Sequence, residues 1–189
     1  MEKNQPISTK RIVLTALMAA LTIVGSALRI TMPIDIAGTT SFHLGNIMCA
    51  LSGILLGPWL GGLAAGLGSF LYDMTNPAYI DEAWITFLTK GGYGLFPGLV
   101  MMLWKDNWGV IKAGIASAAG AVFYAAAYLA KSYYWSGMLK KGLTAEAALL
   151  GVIGKIPATV FNAAVAIIFA PILAVAIRKA LEKNHLSLK

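Results

Sequence analysis

Residues 42–74 read FHLGNIMCALSGILLGPWLGGLAAGLGSFLYDM, a run in which Asp73 is the one carboxylate and no Lys or Arg occurs. As a single helix it would rise about 50 Å, against a bilayer hydrocarbon core of about 30 Å. Gly57-Pro58 stands near its middle. Proline disfavours helical geometry in the residue before it, and glycine tolerates a tight turn. The run therefore predicts two shortish helices, 42–56 and 59–74, folded back on one another. Four more apolar stretches flank the pair, at 12–28, 83–104, 110–130 and 147–177. In the last, Gly154-Lys155-Ile156-Pro157 reads as a helix start with proline near the first turn, so the final span is expected at 158–177. The expected architecture is an all-α integral membrane protein: six transmembrane helices in one bundle, one domain over residues 1–189.

Composition agrees. Of 189 residues 58% are hydrophobic and 12% charged, and mean hydropathy is +0.73, whereas soluble domains carry roughly 25% charged residues. The net charge of +7 does not imply nucleic acid, because the basic residues fall in short clusters between apolar runs rather than on one face. Lys3, Lys10 and Arg11 ahead of the first apolar run resemble a secretory signal, but that run lacks a clean cleavage site and is read as a retained helix. Six spans place both termini on one side. That side collects Lys3, Lys10, Arg11, Lys105, Lys112, Arg178, Lys179, Lys183 and Lys189, against Arg29, Lys131, Lys140 and Lys141 opposite. The positive-inside rule then puts the termini in the cytoplasm of a cell-membrane protein.

Chemistry at membrane depth begins with Lys90, about eight residues into the fourth span. A lone lysine there is costly unless it meets a partner, a wet cavity or a ligand, so its default reading is functional. Gly91, Gly92 and Gly94 surround it, with Tyr93 adjacent, and would let a ligand approach the backbone. Asp73 and Lys155, at span ends, are more easily explained by solvation. Tyr124, Tyr128 and Trp84 belong to an outer aromatic crowd that suits both an interfacial belt and a ring-bearing ligand. Asn162 and Asn46 are buried amides that must bond something. Ala16 and Ala20 give helix one a small-xxx-small face for close helix contact, within the bundle or with another subunit. Gly53/Gly57 and Gly62/Gly66 repeat that spacing, and the glycines lack the Lys-Ser/Thr that a phosphate loop requires.

Catalysis finds little support. His43 and His185 have no second ligand at metal spacing, Cys49 is a lone small packing residue, and no ATP-binding motif occurs. Neither a metal nor another cofactor is expected, and the energy for active transport would come from another chain or an ion gradient.

These features together resemble the substrate-binding S components of energy-coupling factor (ECF) transporters. The resemblance rests on the six-span layout, Ala16-x-x-x-Ala20, His43-Leu-Gly-Asn46 leading into Gly53-x-x-x-Gly57-Pro58-x-x-Gly61, Gly66-x-Gly68-x-x-x-x-Asp73, and Lys90-Gly91. It implies a binding subunit without its own ATPase, capturing a B vitamin or precursor in an outer pocket lined by helices four to six. It also implies a lid over 29–41, including Arg29 and Asp35, and docking through Ala16 and Ala20 onto a membrane T subunit driven by two cytoplasmic ATPases. The aromatic residues and Lys90 favour a pyridoxine- or hydroxymethylpyrimidine-type ligand, with riboflavin, folate, pantothenate and cobalamin open. Two other classes fit the composition: an ion-coupled secondary transporter using Lys90 and Asp73, and an intramembrane enzyme acting through His43.

Overall fold

The reversal expected at Gly57-Pro58 is present: Gly57 adopts φ +81°, closing α2 (Gly45–Leu56), and Pro58 opens α3 (Pro58–Met74). The computed structural model describes residues 8–34, 38–104 and 108–184. Lys3, Asp35, Lys105, His185 and Lys189 lie outside them. The remaining elements are α1 (Thr9–Ala27), α4 (Ala83–Met102) after a short 3-10 turn at Ile80–Glu82, α5 (Val110–Lys131), a π-helical continuation at Ser132–Lys140, and α6 (Ala145–Lys183). Between α1 and α2 the expected lid is an antiparallel hairpin, β1 (Arg29–Ile34) with β2 (Gly38–His43), in register Arg29↔His43 and Ile34↔Gly38. The second span therefore begins at Gly45 and not at residue 42, and the described residues are helical apart from this one hairpin and the connecting turns.

Three helical stretches are long and apolar enough to cross a membrane by length and composition, at Thr9–Ala27, Val110–Lys140 and Ala145–Lys183. The exterior is greasy: Val13, Leu17, Trp59, Ile111, Val122 and Leu139 are each more than half exposed. The interior holds an apolar core around Ile47, Leu51, Ile54 and Tyr93 and also buries Ser52, Ser69, Asn46, Lys90, Ser117, Lys155 and Asn162. Water would penalise so many exposed large apolar side chains; lipid tolerates them because apolar surface costs nothing there.

Glycine sets the spacing of α2, α3 and α4. A Cβ at Gly53 would stand 2.0 Å from the Gly94 carbonyl oxygen, one at Gly94 2.5 Å from that of Gly61, and one at Gly98 2.3 Å from the Pro58 nitrogen. The glycines following Lys90 are thus spent on helix packing and not on ligand approach: Gly91 faces Gly62, Gly92 faces the Phe123 ring, and Gly94 faces Gly61.

The expected helix start near Pro157 is corrected. α6 is continuous over 39 residues with Pro157 and Pro171 inside it. Thr144 is its N-cap, accepting from the Ala147 N–H, and Glu146 occupies the first turn. Both favour initiation a dozen residues before the proline. Packing against α5, the π segment and α2 carries the helix through, as membrane bundles commonly do for prolines.

Candidate functional site

At the end of the bundle holding the hairpin and the α3–α4 connection, polar side chains converge from helices that are otherwise apolar. They recur at helical spacing: Ser69 and Asp73 on α3, Thr86, Thr89 and Lys90 on α4, Tyr124, Tyr128 and Lys131 on α5, and Lys155, Thr159 and Asn162 on α6. Steps of three, four and seven residues keep each set on one helix face. With Asn46, Arg29, Ser41 and His43 they line a cavity of about 320 Å³. The walls therefore include α2, α3 and the hairpin as well as helices four to six.

Lys90 is 5% exposed. Its ammonium donates to Asn46 Oδ1 and lies 4.0 Å from the Tyr124 ring centroid. Tyr93, Tyr124 and Tyr128 stack in a ladder, with centroids 5.1 and 5.7 Å apart and planes within about 22°. Lys155, also 5% exposed, lies 5.6 Å from the Tyr128 ring at the far end and donates to Ser132 Oγ at 3.3 Å. Lys90 thus sits over the middle ring of the ladder and Lys155 over its last, and among the described residues neither lysine has a carboxylate within ion-pair distance.

The hairpin closes over these groups. Asn162 anchors it, accepting from the His43 N–H at 3.1 Å and donating to the Ser41 carbonyl at 2.7 Å, while Phe42 packs edge-on to Phe161 at 4.9 Å. Arg29 donates to the Ser26 carbonyl and lies over Tyr72 and Tyr79, at 4.4 and 5.0 Å. The rim opposite is an ionic latch. Glu82 accepts from Lys131 and from the Ser136 hydroxyl, and Asp81 pairs with Lys140 at 3.0 Å. Burial alone would raise the Glu82 carboxyl, but the adjacent Lys131 charge and hydrogen bond, with Ser136 and Lys140, hold it below its ordinary value. Burial, with Lys90 and Arg29 nearby, keeps the His43 imidazole well below its usual range, so it adds no charge at neutral pH.

Of the residues singled out in the sequence, Lys90, Tyr124, Tyr128, Asn162, Asn46 and Arg29 meet at this cavity. Tyr93 is fully buried behind Tyr124. Trp84 is half exposed and packs edge-on to Trp135, away from the cavity lining. Ala16 and Ala20 are exposed on the outer face of α1. Solvation does not explain Asp73 and Lys155, which are 8% and 5% exposed and line the cavity. The signal for Lys155 is its spacing to Thr159 and Asn162, four and seven residues on; a helix start placed at Pro157 cuts that stripe in two.

Comparison with known proteins gives a family and a relative. A family model described as "ECF-type riboflavin transporter, S component" matches residues 6–179. A protein of Pyrococcus woesei, described as an uncharacterised protein in the gap 3′ region, is 30% identical over 118 residues, which cover 62% of this chain and 74% of the relative.

Proposed function

The chain belongs to the family of ECF-type riboflavin transporter S components, and from that premise we propose that it captures a ring-bearing B vitamin on the outer face of the cell membrane for import powered by other subunits. Membership makes it a substrate-binding membrane subunit of a vitamin-type transporter and not itself an enzyme. In this reading six helices span the bilayer, both termini are cytoplasmic, and the hairpin is the outer lid. Uptake proceeds when Ala16 and Ala20 dock on a T subunit that two ATPases drive.

One observation carries the ligand assignment. The buried Lys90–Asn46 pair and the stacked rings of Tyr124 and Tyr128 form one wall of a 320 Å³ cavity, within the range of about 300–1,000 Å³ usual for small-molecule sites. Ring faces suit a heteroaromatic nucleus, while the Ser, Thr and Asn lining suits hydroxyl substituents. Riboflavin, which the family description names, leads, ahead of the pyridoxine- and hydroxymethylpyrimidine-type ligands that the residues alone favour. The test is mass spectrometry of small molecules copurifying with the chain, followed by titration of the stripped protein with riboflavin and pyridoxine. A copurifying vitamin that rebinds stoichiometrically supports the proposal; gradient-dependent accumulation by the purified chain alone overturns it in favour of a secondary transporter.

A further inference from the structure

The cavity has two covers, and they are held in different ways. The hairpin is joined to α1 and α2 at its two ends and is pinned by both Asn162 hydrogen bonds, by the Phe42–Phe161 edge contact and by the Arg29 guanidinium over Tyr72 and Tyr79. The other cover is a seam. The Ile80–Glu82 turn packs on α3 and α4, and the π segment on α5 and α6; side chains join the two across the gap. Glu82 takes Lys131 and the Ser136 hydroxyl, Asp81 takes Lys140, and Trp84 meets Trp135 edge-on at 5.2 Å.

The winding of the π segment suits this seam. Its hydrogen bonds span five residues rather than four, so residues four to five apart share a face, and Lys131, Ser136 and Lys140 all meet the turn. Continued α-helical winding would swing Ser136 about 140° away from Lys131. Two features keep the closure from being permanent. The Asp81–Lys140 pair is open to water and ions, with Asp81 67% and Lys140 41% exposed. The closed seam also leaves the Trp135 Nε1–H buried without an acceptor among the described residues, a cost that water relieves on opening. Closure is favoured in turn because opening withdraws Glu82 from Lys131 and from Lys155, on which its charge also acts, and leaves like charges facing one another.

From this contrast we infer that the seam between the Ile80–Glu82 turn and the π segment is a second gate to the cavity, closed by ion pairs and able to open while the hairpin stays in place. The inference rests on the vitamin-capture reading for what passes through the gate, but not for its opening. A gate sets how fast cargo enters and leaves rather than how tightly it is held.

Two measurements on the full-length chain in nanodiscs test this. The first needs no cargo. Spin labels at Ile80→Cys and Leu139→Cys, both exposed positions, in a Cys49→Ala background, report the width of the seam by pulsed electron–electron resonance. Labels at the exposed pair Ile30→Cys and Val160→Cys report the hairpin. A longer seam distance is expected beside the closed one, enriched about tenfold by Glu82→Gln, as loss of a charge-assisted hydrogen bond implies, with the hairpin distance unmoved. A single seam distance with and without Glu82→Gln, or a hairpin distance that moves with the seam, overturns the inference. The second measurement follows riboflavin fluorescence by stopped flow. Joining Asp81→Cys to Lys140→Cys with a short thiol-cleavable crosslinker should slow association and dissociation by the same factor, about tenfold or more, and reduction should restore both. Unaltered rates, or a Kd that changes while one rate holds, overturn the gate. Riboflavin binding without seam opening leaves capture standing and the gate refuted; seam opening without riboflavin binding removes riboflavin as cargo and leaves the gate in place.

Discussion

Lys90 shows how one residue becomes legible from its neighbours in the chain alone. A lysine amid apolar neighbours needs a partner whatever the fold, and Asn46 and the Tyr124 face are the partners found. Replacing it with methionine keeps the chain's bulk and removes the charge. Lys90→Met is expected to weaken vitamin binding by about 1.5–3 kcal/mol, roughly 10- to 100-fold in Kd, measured by fluorescence titration. Unchanged affinity would take Lys90 out of the site. Glu82 yields a pH prediction. Its carboxyl sits below the ordinary value of 4.5 in the native protein, so its contribution to stability is complete above about that pH and fades as pH falls through the lower native value. Thermal midpoints measured from pH 7 downward should hold until about that ordinary value is passed. Glu82→Gln should lower the midpoint at pH 7 and flatten the acid limb, and an identical acid limb in the variant would show that the latch contributes nothing.

Elements are legible where a local rule governs them and illegible where packing overrides it. Gly57-Pro58 breaks the helix because both residues act on their own backbone torsions, and nothing distant is required. The glycines of α2–α4 signal close packing, though only the fold shows which carbonyl each one meets. Gly53→Ala would drive a methyl to 2.0 Å from the Gly94 oxygen, and overpacking of that kind costs about 1–3 kcal/mol. The thermal midpoint should fall clearly. Gly114→Ala is the matched control: its nearest neighbour, Pro171, would be 4.0 Å away, and alanine gains about 0.5–1 kcal/mol over glycine within a helix. Its midpoint should hold or rise. The same loss of midpoint in both variants would show that the close approach at Gly53 is unimportant. Pro157 fails as a boundary although a proline inside a helix costs about 3 kcal/mol, because the capped start at Thr144 and packing on several sides together offset that cost.

At the scale of the whole molecule, the bundle is apolar on its exterior and buries a set of polar side chains within an otherwise apolar core, an arrangement a lipid solvent permits. Ala16 and Ala20 lie on its exterior, on the same helix as exposed Ile12, Val13 and Leu17. Small side chains on an exposed helix face let a second helix come close. In the docking proposal, Ala16→Leu/Ala20→Leu leaves vitamin affinity of the purified chain unaltered and abolishes uptake in cells that supply the T subunit and ATPases. Radiolabelled vitamin uptake measures this, and uptake at the parental rate would remove the face from the interface.

The sequence by itself determined that the chain is helical and lipid-embedded, that it folds back at Gly57-Pro58, and that Lys90 and Asn46 are buried polar groups in need of partners. Those properties follow from hydropathy, span length and backbone torsion, each of which is a function of neighbouring residues. Only the tertiary structure decided that Lys155 and Asp73 belong to the cavity, that Asn162 is occupied by the hairpin backbone, and that Trp84 faces away. Burial and charge balance depend on which helix faces meet, and residues more than a hundred positions apart, such as His43 and Asn162, become neighbours only when the bundle closes.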